Sequence, residues 1–337
     1  MNHQSFHTPA KHYIEEAQGR GTVLHMDGLG GIDHPAPEVY VLEDACLLGE
    51  YGLIACNHNG GVRIISESDL YSNIGLAIHS AAQQDLRTDP PVRKNGSYLA
   101  LHGIWCWGFW HWVMEFLVKV IMAESCGFTG YYILPRGLSF APASLEILGV
   151  APHRMVYPDG KAWWVERLYA PGLVKGYELE YYPWFMEQLR EKFLKAAIHP
   201  SSPHEHVYIS RNTQGRGRTV VNEDQLARLL DDYGFKRVVM EELSLKEQVG
   251  IVARARCLIG PHGAGMTHCL FMPPGSLVLE LFAPTFINPC MLPVVDYLKH
   301  RYFMVPSNVN EKPYPHGQNI EASIHTIDVT LKRELSL

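Results

Sequence analysis

The regular alternation of short apolar runs and helical stretches between residues 206 and 282 constrains the fold more than any other feature. Four apolar runs predict strands, at 206–210, 235–240, 257–259 and 277–281. Helical periodicity between the runs predicts three helices, of which the first begins after the cap Asn222 and the second after Ser244. Strands and helices that alternate over short connections indicate an α/β fold with a doubly wound parallel sheet.

The polar residues of this region fall where the predicted strands end. In such sheets the carboxyl ends of the parallel strands line the ligand site. Arg211, Arg216 and Arg218 follow the first strand, the glycine-rich loop 260–265 follows the third, and Glu280 lies on the fourth. We therefore expect a ligand site at this edge of the sheet.

The loop 260–265 can offer main-chain N–H groups to an anion. Gly263, Ala264 and Gly265 have no bulky side chains and open a helix, so that a phosphate could approach closely. The pattern is not the dinucleotide fingerprint, because His268 occupies the position of the third glycine, and no P-loop lysine follows. His262 could donate to a phosphate oxygen. The alternative is a tight packing turn, with His262 bonded to the main chain.

The arginines and Glu280 are further candidates for contact with the ligand. Guanidinium groups match phosphate oxygens and stay charged, although a solvated surface loop is the alternative. A carboxylate within an apolar strand must be paired or lie at the strand end. Glu280 could therefore accept from ribose hydroxyls, or form a salt bridge with an Arg or Lys. Asn222 and Ser244 are the remaining candidates for ligand contacts in this half.

The N-terminal half predicts a β-rich start followed by a second parallel sheet. Short apolar runs between residues 22 and 65 are separated by turn clusters typical of hairpins. A helix is predicted over 109–126, followed by strands near 131–134 and 155–157. A Pro-rich break follows the next helix, so we predict an acceptor-binding domain at 1–198 and a donor-binding domain at 199–290. Residues 291–337 form a C-terminal segment that could return to the N-terminal domain.

Three residues of the N-terminal half are candidates for a general base. His111 and Glu115 stand four residues apart and share one helix face, so they could act as a base and its orienting partner. The carboxylate itself could be the base, and Asp27 is a third candidate. The alternative is a structural His–Glu pair at a domain interface.

Composition excludes several classes of function. The net charge is −6 and no Lys/Arg tract occurs, which argues against a nucleic-acid partner. The seven cysteines are widely spaced, and the 18 histidines show no metal-ligand spacing, so we expect free thiols and no metal. The sequence contains no run of about 18 apolar residues, which a membrane-spanning helix would need. The N-terminus is polar and lacks the apolar core of a signal peptide. We expect a cytoplasmic protein, which could lie at the inner face of the membrane.

Five separated blocks of the C-terminal half resemble glycosyltransferase family sixty-one. The blocks lie at 208–211 (YISR), 218–223 with Arg218 and Asn222, 242–249 (ELSLKEQV), 259–267 (IGPHGAGMT) and 279–280 (LE). Residues 109–115 (FWHWVME) resemble the family more loosely. The resemblance implies a GT-B type fold, in which two Rossmann-like domains face each other across a cleft. It also implies inverting, metal-independent transfer from a nucleotide sugar. By this similarity Arg211 and Arg218 would hold the diphosphate, residues 262–265 the phosphate and sugar, and Glu280 the ribose.

The expected function is therefore inverting transfer of a sugar from a nucleotide sugar, of UDP type, to a glycan acceptor without a cofactor. The cytoplasmic expectation fits a bacterial capsular, exopolysaccharide or lipopolysaccharide acceptor, which could be lipid-linked. A non-catalytic nucleotide- or glycan-binding module on the same fold is the first alternative. A metal-dependent hydrolase is the second.

Overall fold

The structure of the protein is a computed structural model. It describes residues 21–26, 37–48, 52–58, 61–64, 92–103, 105–159, 162–172, 182–202, 204–211, 218–284, 286–307 and 319–335. The chain forms two compact units, Met1–Phe185 and Met186–Leu337. The division falls within helix α4 (Pro183–Ala196), a little before the domain boundary predicted after residue 198.

The first unit contains a mixed eight-stranded sheet. Its strands are β1 (Gly21–His25), β2 (Glu38–Leu48), β3 (Leu53–His58), β4 (Gly61–Ile64), β5 (Val92–Ala100), β6 (Tyr131–Ile133), β7 (Met155–Val156) and β8 (Trp163–Pro171). The order is β4-β3-β2-β8-β5-β6-β7, and β1 also pairs with β2. Pairing is antiparallel from β4 to β8 and parallel from β8 to β7.

The antiparallel part differs from the Rossmann-like N-terminal domain that the resemblance implied. Two residues connect β3 to β4, and four connect β2 to β3. Strands joined this closely pair antiparallel, because a parallel pair needs a crossover of about a dozen residues. The parallel part, β8-β5-β6-β7, confirms that this half also contains a parallel sheet.

The helix predicted over 109–126 is confirmed, with one irregularity. Helix α1 (Phe109–His111) continues into a π-helical turn, Trp112–Phe116, and then into α2 (Leu117–Ser125). Gly127 follows with φ 80°, a left-handed conformation that costs a glycine little. Helix α3 (Phe140–Leu148) ends in the same way at Gly149, where φ is 95°.

The second unit contains a parallel five-stranded sheet, as the alternation in the sequence predicts. Its strands are β9 (His206–Ile209), β10 (Lys236–Val238), β11 (Cys257–Pro261), β12 (Leu277–Phe282) and β13 (Arg301–Pro306). They are ordered β10-β9-β11-β12-β13, and all four neighbouring pairs are parallel. Helices α5 (Glu223–Asp232), α6 (Leu245–Val252), α7 (Leu292–Leu298) and α8 (Ile324–Leu335) connect or follow these strands.

The described residues of the C-terminal segment belong to this second unit. Strand β13 pairs with β12 over its whole length. Ile327 of α8 is fully buried in one apolar cluster with Leu226 of α5 and Leu279 of β12. Full burial of an aliphatic side chain stabilises the folded state by about 1.5–3 kcal/mol. The burial of Ile327 therefore holds α8 against the sheet of this unit.

Asn222 does not cap α5 with its side chain, contrary to the prediction. Its amide nitrogen donates to the carbonyl of Ala322 at 2.9 Å, and its amide oxygen accepts from the N–H of Ala322 at 2.8 Å. Both polar atoms of the amide are used by a segment 100 residues further along the chain. The capping prediction fails because this long-range pair replaces the local hydrogen bond.

Across the described part of the chain, every helix is too short or too polar to cross a bilayer.

Candidate functional site

The strand order of the second unit reverses between β9 and β11. The chain passes from β9 outward to β10, and then returns to the other side of β9 to form β11. Loops that leave the two strands on either side of such a point diverge, and ligands bind in the crevice between them. Arg211 lies just beyond the end of β9, and His262 directly follows β11. The sequence-predicted site residues on these loops therefore meet at the place where the topology favours a ligand.

Arg211 and Arg218 converge on the main chain of the glycine-rich loop. Nη1 of Arg218 donates to the carbonyl oxygen of His262 at 3.1 Å, and Nη1 of Arg211 approaches the same oxygen at 3.5 Å. A Cβ atom on Gly263 would overlap Nη1 of Arg211, and the φ of Gly263 is 154°. Glycine at position 263 therefore lets the Arg211 guanidinium lie directly against the backbone.

The two guanidinium groups form a positively charged, partly dehydrated cluster. Burial lowers the pKa of Arg218 to about 10, and the neighbouring charge of Arg211 acts in the same direction. Glu280 and Cys290 oppose that shift. The Nε atom of Arg218 is buried and has no hydrogen-bond partner among the described residues. Two cations held side by side, one with an unused donor, favour an anionic ligand.

A buried hydrogen-bonded chain runs from β13 to the glycine-rich loop. Glu280 is 0% exposed, and its Oε1 accepts from Nδ1 of His262 at 2.6 Å. Its Oε2 accepts from the hydroxyl of Tyr302 at 2.5 Å. The imidazole also stacks on the ring of Phe282, with centroids 4.8 Å apart. Both carboxylate oxygens of Glu280 already have hydrogen-bond partners within the protein. Direct contact between Glu280 and a ribose stays a prediction, and this geometry does not favour it.

The glycines of the loop serve two purposes. A Cβ on Gly260 would lie 2.8 Å from the sulfur of Met266, and one on Gly265 would lie 3.3 Å from the side chain of Ile209. These two glycines allow close packing against β9, whereas Gly263 makes room for Arg211. Ala264 begins a 3₁₀ helix, Ala264–Phe271, at the place where the sequence predicts that the loop opens a helix. The packing-turn interpretation therefore holds for Gly260 and Gly265, while ligand contact at Gly263 stays a prediction.

The side chains of Asn222 and Ser244 already have structural partners. The Asn222 amide binds the main chain of Ala322. The Ser244 hydroxyl forms the capping box of α6 with Glu247, as the sequence predicts. A donor contact from either residue stays a prediction. Arg216 and Asp27 lie outside the described residues.

Two carboxylates, Glu223 and Glu280, hold residues of the site in place. The sequence analysis did not propose a role for Glu223, and it gave Glu280 a different one. Glu223 accepts from Tyr208 at 2.8 Å, from Ser210 at 2.6 Å and from Arg237 at 2.5 Å. Since Ser210 and Glu223 lie on either side of the arginine loop, this network fixes its two ends. The second is Glu280, whose partner Tyr302 the sequence analysis missed. The apolar run at 302–305 marks the strand, but the contact depends on the pairing register of β12 and β13.

His111 and Glu115 pair within the first unit, as their spacing predicts. Nδ1 of His111 lies 2.9 Å from Oε1 of Glu115, and their side chains are 31% and 10% exposed. The pair spans the π-helical turn, a feature that occurs often at functional sites. The ring of Trp105, a 46% exposed residue, stacks on His111 at a centroid distance of 5.9 Å. The arrangement gives a solvent-accessible imidazole oriented by a carboxylate, which is what a general base requires.

The four tryptophans of this segment divide into two kinds. Trp110 and Trp112 are buried, and the indole N–H of Trp112 donates to Ser144 at 2.8 Å. Trp105 and Trp107 are exposed. Trp110 and Trp112 therefore belong to the core of the first unit, whereas the rings of Trp105 and Trp107 are accessible to solvent.

The described residues hold no group of three or more His, Cys, Asp or Glu side chains arranged to bind a metal ion.

The family model described as Glycosyltransferase 61 matches residues 109–279, half of the chain. The matched span includes His111, Arg211, Arg218 and His262, and ends one residue before Glu280.

Several curated proteins are similar to parts of the chain. An EGF domain-specific O-linked N-acetylglucosamine transferase of Drosophila melanogaster is 42% identical over 78 residues, which cover 22% of this chain and 15% of that protein. A protein O-linked-mannose beta-1,4-N-acetylglucosaminyltransferase 2 of Homo sapiens is 30% identical over 161 residues, which cover 43% and 27%. Its counterpart in Takifugu rubripes is 37% identical over 86 residues, covering 25% and 14%.

The similar segments span 27% or less of these relatives' own lengths. The relatives are named for O-linked glycan transfer, and they give no support to the capsular type of enzyme expected from the sequence. The resemblance seen in the motifs agrees with the family match over 109–279. The chain belongs to the glycosyltransferase 61 family.

Proposed function

We propose that the protein transfers a sugar from a nucleotide-sugar donor to a hydroxyl group of a glycan-bearing acceptor. The observation that carries the proposal is the convergence of Arg211 and Arg218 on the carbonyl of His262, beside Gly263, at the switch point of a parallel sheet. Two guanidinium groups next to a glycine-rich loop suit the two phosphates of a nucleotide diphosphate.

The donor's diphosphate would bind Arg211 and Arg218, with the loop at His262, Gly263, Ala264 and Gly265 beside it. We propose a UDP-type donor. UDP-N-acetylglucosamine is the first donor to test, because the similar proteins are named as N-acetylglucosamine transferases. Since the arginines stay charged, they would also stabilise the negative charge that develops on the departing diphosphate.

The transfer step needs a base at the acceptor. The acceptor oxygen forms a bond to the anomeric carbon while the bond from that carbon to the diphosphate oxygen breaks, and its electron pair leaves with the nucleotide. The acceptor proton passes to the base, for which His111, Glu115 and Asp27 are the candidates. Attack opposite the leaving group inverts the anomeric configuration. The inverting course, the absence of a metal requirement and the GT-B arrangement are parts of this proposal.

The acceptor is the least constrained part of the proposal. Names of the similar proteins favour a hydroxyl on an O-linked protein glycan, or on the protein itself, over the capsular polysaccharide expected from the sequence. Acceptor screening should therefore include glycopeptides as well as free and lipid-linked glycans. The cytoplasmic location stays a prediction.

The test of the donor site is the binding of UDP by calorimetry to the wild-type protein and to Arg218→Ala and Arg211→Ala. Because a hydrogen bond to a charged group contributes about 1.5–3 kcal/mol, each variant should bind at least ten times more weakly. The matched control is Arg254→Ala, which removes an exposed arginine that precedes β11, at the opposite edge of the sheet. Unchanged affinity in the first two variants would contradict the donor-site assignment.

A further inference from the structure

We propose that the loop after β5 binds a sugar ring of the acceptor, and that this ring stacks on the indole of Trp105. The inference rests on the proposed function, because it names the class of acceptor for the same transfer. The acceptor hydroxyl would belong to a saccharide, and not to an unmodified protein side chain. The observations that carry the proposal all lie within the first unit.

The sheet of the first unit has a switch point of its own. The chain passes from β5 outward to β6 and β7, and then returns to the other side of β5 to form β8. The pairs are parallel, and in such sheets ligands bind between the loops that leave the carboxyl ends of the two strands at the switch point. The loop after β5 carries Trp105 and Trp107 and leads to α1. Topology therefore favours a ligand site at these tryptophans.

The turn that begins at Trp105 packs directly on the candidate base. It is closed by a hydrogen bond from the N–H of Gly108 to the carbonyl of Trp105 at 2.8 Å. A Cβ atom at position 108 would lie 3.3 Å from Cδ2 of His111, so the turn lies close to the imidazole. The indole of Trp105 stacks on that imidazole, with an angle of 25° between the ring planes. A ligand on Trp105 would therefore lie next to His111.

The backbone of Trp105 is held in a conformation that favours glycine. Its φ is 74°, in the left-handed region that bulky residues rarely adopt. Among the described residues only three other non-glycine residues have a positive φ, and one of them is Arg218, on the loop after β9. Strained residues cluster at ligand sites, whereas glycine would form this turn at lower cost. The strain therefore indicates that the indole itself is what position 105 contributes.

The chemistry of the exposed surface suits a sugar ring. Trp105 and Trp107 both present exposed aromatic surface. One face of a pyranose carries mainly C–H groups, which pack against an aromatic ring, while its edge carries hydroxyl groups. Nδ1 of His111 lies 2.9 Å from Oε1 of Glu115, which leaves Nε2 of the imidazole to face a hydroxyl. Stacking would thereby place an acceptor hydroxyl beside the base.

An unmodified serine or threonine would use this surface poorly. Its short side chain has no ring face to lie on the indole, and the position of its hydroxyl would depend on a flexible peptide. A sugar ring holds its hydroxyls rigidly relative to the stacked face. This restriction lowers the entropic cost of reaching the reactive geometry, so the aromatic surface favours a saccharide acceptor.

The experiment is ligand-observed saturation-transfer NMR on the whole protein saturated with UDP. The probes are the methyl glycosides of glucose, galactose, mannose, xylose and N-acetylglucosamine, together with an unglycosylated peptide that contains serine and threonine. At least one glycoside should bind. The ring hydrogens on one of its faces should receive the strongest transfer, because that face lies on the indole. The peptide should show no transfer.

The variants test the role of Trp105. Trp105→Ala should weaken binding of the glycoside by about tenfold or more, as is usual when a tryptophan at the centre of a contact is removed. Trp105→Phe keeps an aromatic face and should retain part of the affinity, which separates loss of the ring from misfolding. The matched control is Tyr131→Ala, which removes an exposed aromatic ring at the amino end of β6 and should leave glycoside affinity unchanged. UDP affinity should stay at the wild-type value in all three variants.

Four outcomes would contradict these assignments. Glycoside affinity that persists in Trp105→Ala overturns the stacking role of Trp105. Failure of every glycoside to bind, while UDP binds, overturns the saccharide site and leaves the donor site intact. Transfer to the peptide in place of the glycosides assigns the surface to a protein hydroxyl, and so overturns the saccharide acceptor. Failure of UDP to bind contradicts the proposed function itself.

Discussion

Nη1 of Arg218 donates a hydrogen bond of 3.1 Å to the carbonyl oxygen of His262, and this bond joins the end of the arginine loop to the first residue after β11. The two residues are 44 positions apart in sequence. Because the arginine binds main chain, its position depends on the backbone of the glycine-rich loop and not on the imidazole.

Gly263→Ala should weaken UDP binding at least tenfold. The added methyl group overlaps the place of the Arg211 guanidinium, so either the arginine or the loop must move. Calorimetry with UDP measures the effect. Gly234→Ala is the control: Gly234 also has a positive φ, 70°, but open space around its Cβ position. It should lower stability by about 1 kcal/mol and leave UDP affinity unchanged. Equal affinities in the two variants would contradict the role of Gly263.

His111→Ala and Glu115→Gln should each slow sugar transfer by about a hundredfold or more while UDP affinity stays at the wild-type value. The 2.9 Å bond between the two side chains orients the imidazole, so loss of either group impairs the same step. Turnover and UDP binding are measured on the same preparations. Full turnover in both variants would remove this pair as the base and leave Asp27 as the candidate.

The first unit should lose stability in acid because of His102. Burial lowers the pKa of His102 to about 4, and its Nδ1 has no hydrogen-bond partner among the described residues. An unfolded chain binds the proton near pH 6.5, so between about 6.5 and 4 the unfolded state holds more protons than the folded state. The free energy of unfolding should therefore fall, by on the order of 2–3 kcal/mol, as the pH decreases through this range.

Urea unfolding at several pH values measures this loss. His102→Gln, which is neutral at every pH, should make the curve shallower between pH 6.5 and 4, while part of the slope remains because burial also lowers the pKa of His268 to about 4. His153→Gln, in which an exposed imidazole is replaced, should keep the wild-type slope. A slope that is the same in all three proteins would contradict the assignment.

Local pattern was sufficient to predict the second unit and the edge of the sheet on which its site lies. The alternation over 206–282 predicts four of the five strands, and the rule that ligands bind at carboxyl ends brings Arg211 and His262 together. Tyr302 was missed because its bond to Glu280 crosses from one strand to the next, and so depends on register. The cap predicted at Asn222 was wrong for a related reason, since its partner Ala322 is distant in sequence.

The first unit was predicted less completely because its sheet is mixed. Hairpin signals at 57–61 correctly indicate the antiparallel pair β3–β4, yet the resemblance implied a Rossmann-like domain throughout. Nothing in the periodicity of 109–126 marks the π-helical turn, since an added residue in a helix leaves the apolar pattern nearly unchanged.

The π-helical turn between His111 and Leu117 is wider than a turn of an α-helix. A π turn holds about one residue more than an α turn, so a one-residue deletion within Trp112–Phe116 would restore regular winding and keep the helix intact. The helix on either side of the turn would keep nearly the same orientation, because the wider turn absorbs the added residue. The His111 imidazole therefore keeps its direction across this added residue, whereas deletion of one residue from the regular helix α2 would rotate every residue before the deletion by about 100° relative to those after it.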